Sequence, residues 1–230
     1  APLYAQKDYS YIQDGAEYVL RLNQMGIQTI DDLNDTMNML TTAYNQKSLH
    51  QLLTTTLPEN VHIVYNPYEL STLVDNMHYI GNYEPKGLLL VQDIPRMRYA
   101  MYLQSDAYHA LLKMYQDLSQ KFNGFLLKEA YVSHQDLSAK KVGYDESQLG
   151  LTITVTQSQT TYNSFSQTEM SQWLEEHAYE YGFILRYPQR KASITNHTYD
   201  AHIYRYVGKS LAKSLHDSQM TLEEYQSQTS

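Results

Sequence analysis

Leu149-Gly-Leu-Thr-Ile-Thr-Val-Thr156 alternates without a break. Leu149, Leu151, Ile153 and Val155 point one way, and Gly150, Thr152, Thr154 and Thr156 point the other. A period of two is the signature of a half-buried strand, so one face should meet a core and the hydroxyl-bearing face should be wet, as the floor of a cleft is. On the N-terminal side, Ala107, Leu111, Met114, Leu118 and Phe122 fall at helical spacing, with Ser105 placed to cap the start and Gly124 past the end. Strands are expected over 61–65, 87–92, 125–133, 183–187 and 202–207. On the C-terminal side, Ser166-Gln-Thr-Glu169 reads as a capping box opening a helix lined by Met170, Trp173, Leu174, His177 and Tyr181 and closed by Gly182. Helices interleave with strands irregularly and no glycine-rich phosphate loop appears. The order predicts an α+β fold, an antiparallel sheet with flanking helices.

Residues 1–57 read as a small all-helical module. Ile12, Ala16, Val19 and Leu20 form one stripe ended at Gly26; Ile30, Leu33, Met37 and Leu40 form a second, with Asp31 and Asp32 well placed for a helix start; Leu49, Leu52 and Leu53 form a third before Pro58. Residues 58–216 form the main domain, and 217–230 a polar, helix-prone tail expected to fray.

The 230 residues carry 17 Lys and Arg against 25 Asp and Glu, a formal charge of −8, which speaks against nucleic acid or an anionic membrane as partner. No apolar run is long enough to span a bilayer. Cysteine is absent, which removes disulfides, thiolate nucleophiles and cysteine-held metals together. Tyrosine is abundant, 23 against 4 Phe and 1 Trp, a composition suited to wet recognition surfaces. The abrupt opening at Ala1-Pro2-Leu3 fits a trimmed or mature chain.

Five segments together resemble the VanY-type D-alanyl-D-alanine carboxypeptidases, zinc enzymes that trim peptidoglycan stem peptides. Leu73 to Pro85 is similar to the family's L-V-N…L-P-x-x-Y-x-P entry. Glu129-Ala-Tyr-Val-Ser133 stands where the family has S-G-Y-R-S, and Asp145 to Thr154 where it has S-E-H-Q-x-G-x-A-x-D. Trp173 to Pro188 matches W-L-x-x-x-A-x-x-Y-G-F-x-x-R-Y-P, and Tyr199 to Gly208 stands at Y-E-P-W-H-x-R-Y-V-G. The resemblance implies a zinc peptidase cleft: a His and an Asp bind the metal, a second His completes the ligands, and a Glu three residues before it is the base. Zinc catalysis needs such imidazole or carboxylate donors, an open position for water and a base for its proton.

The spacing is kept and the chemistry is not. The first His position is Ser147, the Asp position Thr154, the second His position Ile203, and the Glu position Asp200; the substrate-holding Arg is Val132. The resemblance therefore implies a chain without catalytic residues and without bound zinc or other cofactor. Its retained cleft would receive a peptide through Tyr131, Ser133, Ser147, Thr154 and Arg205. The expected partner is a peptidoglycan stem peptide or an envelope protein, and the expected location is extracellular or at the envelope of a Gram-positive bacterium. The competing expectation is an active metallo-carboxypeptidase whose site is rebuilt from His202, His134, Asp145, Glu146, His197 or Asp200. Strand alternation opposes His202 in that role, since it sets His202, Tyr204 and Tyr206 opposite Ile203, Arg205 and Val207. Asp145 and Glu146 beside Asp200 also suggest an acid pair for glycoside hydrolysis, weighed against plain solvated loop carboxylates.

Overall fold

A computed structural model describes residues 14–229. Ile12 of the first expected stripe and the opening Ala1-Pro2-Leu3 lie outside the described residues. The chain divides into two compact units. One holds the described residues up to Glu84 with Ser133–Asp145; the other holds Pro85–Val132 with the described residues from Glu146 onward. The division expected between residues 57 and 58 falls inside the first unit.

The first unit begins with three helices: α1 (Gly15–Gln24), α2 (Ile30–Ala43) and α3 (Gln46–Thr54). Helix α1 buries Tyr18, Val19 and Leu22 rather than the expected Ala16 and Leu20, and Leu20 is 49% exposed. Helix α2 buries Leu33, Met37 and Leu40 as expected, and its cap is Thr29, whose Oγ1 accepts from Asp32 N at 3.1 Å. Helix α3 buries Leu49, Leu52 and Leu53 behind an Asn45 cap. Two short parallel strands follow, β1 (His62–Ile63) and β2 (His78–Tyr79). The returning segment docks through Gly143, whose carbonyl accepts from Ile80 N at 2.9 Å.

In the second unit, β3 (Leu88–Leu90) and β4 (Tyr102–Gln104) form a hairpin leading into α4 (Ser105–Ser119). Ala107, Leu111, Met114 and Leu118 of α4 are wholly buried. The central sheet is antiparallel throughout and contains β5 (Phe125–Glu129), β6 (Thr152–Gln157), β7 (Phe183–Tyr187) and β8 (Asp200–Tyr206) in the order β5-β6-β8-β7. Helices α5 (Glu169–His177), α6 (Ala192–Thr195), α7 (Lys209–Ser218) and α8 (Leu222–Thr229) complete it. The α+β architecture with an antiparallel sheet is the expected one.

Strand β6 opens at Thr152 rather than Leu149, because Glu146–Leu149 curl into a 3-10 turn closed by Gly150 at φ 66°. Leu151, Ile153 and Val155 are wholly buried, whereas Thr152, Thr154 and Thr156 stay half-buried on the opposite face. Helix α5 starts two residues later than Ser166 would place it: Thr168 is its cap, accepting from Ser171 N at 3.1 Å. Gly182 then turns the chain into β7 at φ 92°, where a Cβ would lie 2.8 Å from the Tyr206 ring. The tail is helical over Leu222–Thr229. Leu222 is wholly buried, and Glu224 of α8 pairs with Lys191 at 2.8 Å. No helix among the described residues is long and apolar enough to cross a membrane.

Candidate functional site

Sheet register decides which side chains share a face. In an antiparallel pair, residues directly opposite project to the same side. Thr154 stands opposite Ile203 on β8 and opposite Glu129 on β5, so Glu129, Thr154 and Ile203 form a row straight across three strands. Thr152 and Arg205 form the next row on that face. The 3-10 turn brings Ser147 toward the same region: its carbonyl accepts from Val132 N and from Gly150 N, each at 3.2 Å. Tyr131 is anchored by its amide, which donates to Tyr102 O at 3.0 Å. Ser133 belongs to the first unit, where its Oγ accepts from Gln135 N at 3.3 Å.

Arg205 is not an open cation. It is wholly buried, with Nη1 3.1 Å from Glu146 Oε1. The opposite Glu146 oxygen accepts from Arg186 Nε at 2.7 Å, and Thr152 Oγ1 donates to Oε1 at 2.7 Å. Arg186 Nη1 reaches Glu223 of α8 at 2.7 Å. Glu146 is therefore no solvated loop carboxylate; it is 6% exposed and sits between two guanidinium groups. Burial favours its neutral form, but the two arginines and their hydrogen bonds outweigh burial and pull its pKa down to about 2. Arg205 is held below its ordinary value by burial and by the like charge of Arg186, against the pull of Glu146. For Arg186, Glu146 and Glu223 overcome burial and hold the guanidinium charged.

Asp200, at the position the resemblance gives to a base, is committed elsewhere. Its Oδ2 accepts from Tyr162 Oη at 2.5 Å and its Oδ1 from the amide of His202 at 2.9 Å. Burial and then the Asp200 bond push Tyr162 up to about 12, so the phenol stays protonated and donates. His202 is buried, with Nδ1 2.6 Å from Val155 O and Nε2 3.0 Å from Tyr162 O, stacked between Tyr162 and Phe165. Both ring nitrogens are thus taken by carbonyl oxygens.

Each of the other residues considered for a rebuilt metal site has a partner of its own. His134 lies 3.2 Å from Glu84 and Asp145 3.2 Å from Lys141, both in the first unit. In the second, His197 stacks on Tyr187 and its Nδ1 is 2.8 Å from Thr198 O. Among the described residues no group of three or more His, Asp or Glu converges to hold a metal ion. The donor set at Ser147, Thr154 and Ile203 does not fit zinc: two neutral hydroxyls and a hydrocarbon supply neither anion nor imidazole.

Sequence reasoning passed over three contributors. Tyr162 and Glu223 stand far along the chain from the groups they bind, and nothing local marks them. Glu129 was in view within a quoted motif, but its place opposite Thr154 follows from a bulge between Leu127 and Glu129 that the sequence does not announce. Two of the tyrosines act as struts. Tyr181 Oη donates to Asp117 at 2.6 Å and Tyr199 Oη to Glu175 at 2.5 Å.

Comparison with known proteins accords with this geometry. Residues 104–209 match the family model described as VanY, D-alanyl-D-alanine carboxypeptidase. YodJ of Bacillus subtilis (strain 168), named as an inferred carboxypeptidase, is 28% identical over 196 residues, which cover 73% of this chain and 70% of YodJ. The LdcB LD-carboxypeptidase, whose structure concerns peptidoglycan recognition, superposes with a TM-score of 0.66 at 28% identity, covering 74% of this chain and 91% of LdcB. The vancomycin-resistance D,D-pentapeptidase VanY, crystallised with Zn(II), shares the fold at a TM-score of 0.53 and 20% identity, over 69% of this chain and 98% of that one. Over residues 104–209, the chain is thus similar to the VanY D-alanyl-D-alanine carboxypeptidase family.

Proposed function

We propose that this chain is a non-catalytic member of its peptidase family that works at the bacterial cell envelope by binding a peptide of the peptidoglycan stem. The observation that carries the reading is the cross-strand pair Thr154 and Ile203. They share a face, as two ligands of one metal must, and the resemblance aligns them with an Asp and a His. Neither can replace that ligand, because a divalent zinc ion leaves water only for charged or strongly donating groups. Asp200 supports the same reading, since a carboxylate already accepting from Tyr162 and the His202 amide is poorly placed to take a proton from water. The peptide-binding part rests on the retained scaffold and on the half-buried hydroxyls of Thr152, Thr154 and Thr156.

The test uses a synthetic pentapeptide ending in D-Ala-D-Ala. No D-alanine is released with or without added zinc, while backbone amide resonances of residues 129–132 and 152–156 shift on titration. Chelator-sensitive release of D-alanine would instead establish an active peptidase, and a titration without shifts would remove the peptide-binding reading.

A further inference from the structure

The segment Glu129–Val132 differs from the motif it resembles in a concerted way. The family's Arg is Val132, so a cation is lost, and the family's first Ser is Glu129, so an anion is gained. The sheet places this new carboxylate directly opposite Thr154, the position from which the resemblance implies an Asp has gone. Glu129 is exposed and forms no salt bridge among the described residues. Its neighbour Lys128 is turned to the Tyr162 ring, 5.1 Å from the centroid. Arg205 and Arg186, the arginines of the sheet's own strands, are 0% and 2% exposed and held by Glu146, and Arg96, bridged to Leu127 at the outer edge of β5, gives its guanidinium to the carbonyls of Gln92 and Tyr99. The strands of this face thus present one free anion and no accessible arginine to a ligand lying along the row Glu129, Thr154, Ile203.

We infer that this row recognises a peptide amine, carried on a lysine-like side chain, rather than the C-terminal carboxylate of a peptide. The inference rests on the peptide-binding reading above and names what that site selects. The row spans about 10 Å over two strand spacings. It is polar and anionic at one end and apolar at the other. A lysine-like side chain lays its methylenes on apolar surface and carries its charge at the tip, which matches Ile203 and the Thr154 methyl beneath the stem and Glu129 at the ammonium.

The experiment titrates wild type and Glu129→Ser with three pentapeptides ending in D-Ala-D-Ala and containing one internal lysine: unmodified, acetylated on the lysine amine, and amidated at the C-terminus. Glu129→Ser restores the residue type of the motif at an exposed position, so folding is retained. Acetylation should weaken binding to wild type roughly fivefold, the scale of a partly exposed ion pair, and leave Glu129→Ser unaffected; amidation should change neither. Loss on amidation without loss on acetylation would overturn the inference, as would equal binding of all three peptides to both proteins, in which case peptide binding itself stands. If no peptide binds either protein, the peptide-binding reading fails and this inference with it.

Discussion

Replacing Glu146 by Gln keeps the shape of the side chain and one carbonyl acceptor and removes the charge. In the folded chain this leaves Arg205, wholly buried, and Arg186, 2% exposed, as neighbouring cations in the interior. Arg186 still has Glu223 at 2.7 Å, but Arg205 loses its carboxylate. Breaking a buried ion pair from one side costs about 3–5 kcal/mol, because the remaining charge keeps its desolvation penalty. The pH dependence gives an independent figure. The Glu146 pKa falls from 4.5 to about 2 on folding, which at about 1.4 kcal/mol per pH unit is about 3 kcal/mol. Since the folded pKa is the lower one, this stability is fully present above pH 4.5 and drains away as pH falls toward 2. Urea unfolding followed by fluorescence of Trp173, the only tryptophan, reports on the second unit. Glu146→Gln should lower its unfolding free energy by about 3 kcal/mol or more at pH 7 and flatten the decline between pH 5 and 2. Adding Arg205→Met should return part of the loss, because an apolar side chain needs no counter-charge. A Glu146→Gln protein within about 1 kcal/mol of wild type at pH 7 would refute the reasoning, since that is the size of an exposed pair.

Other perturbations test other parts of the account. Gly143 has φ 82°, and a Cβ there would lie 2.2 Å from the Tyr79 ring and 2.8 Å from Gly81 N. Gly143→Ala should therefore destabilise the first unit by about 2–4 kcal/mol, combining left-handed strain with overpacking, which hydrogen exchange at Ile80 would register. Leu222→Ala, at a wholly buried site, should cost about 2–5 kcal/mol and raise exchange across α8; unchanged exchange would mean that the tail is not anchored there. The triple change Ser147→His, Thr154→Asp, Ile203→His should create a site for about one zinc ion per chain, read by elemental analysis. Failure of the folded triple variant to bind zinc would count against the alignment of those three positions with the family's ligands.

What the sequence disclosed and what it hid follow from the range of the interactions. The α4 stripe, the alternation in β6 and the helix-to-strand passage through Gly182 depend on neighbours a few residues apart, and all three appear in the structure. The same alternation put His202 on the other side of β8 from Ile203, and its ring is indeed buried against Val155 and Tyr162 rather than beside Ile203. The α1 stripe was misread because Tyr18 and Leu22, not Ala16 and Leu20, turn inward. A tyrosine with an apolar ring and a polar tip leaves the face undecided in so short a helix. Glu146 and Arg205 were read as exposed groups because each looks solvated alone. Their burial depends on a partnership with Arg186, forty residues beyond Glu146, that only the closed sheet creates. The tail looked polar for the same reason: Glu223 and Glu224 are charges whose partners, Arg186 and Lys191, lie outside the tail.

The most direct test of the central claim is the zinc content of the purified chain after incubation with excess zinc and desalting. The side chains at Ser147, Thr154 and Ile203 predict less than about a tenth of an equivalent, since they supply no ligand set for the ion. A full equivalent, retained on desalting and removed by a chelator, would contradict the account, because it would mean that other side chains have assembled a metal site on this scaffold.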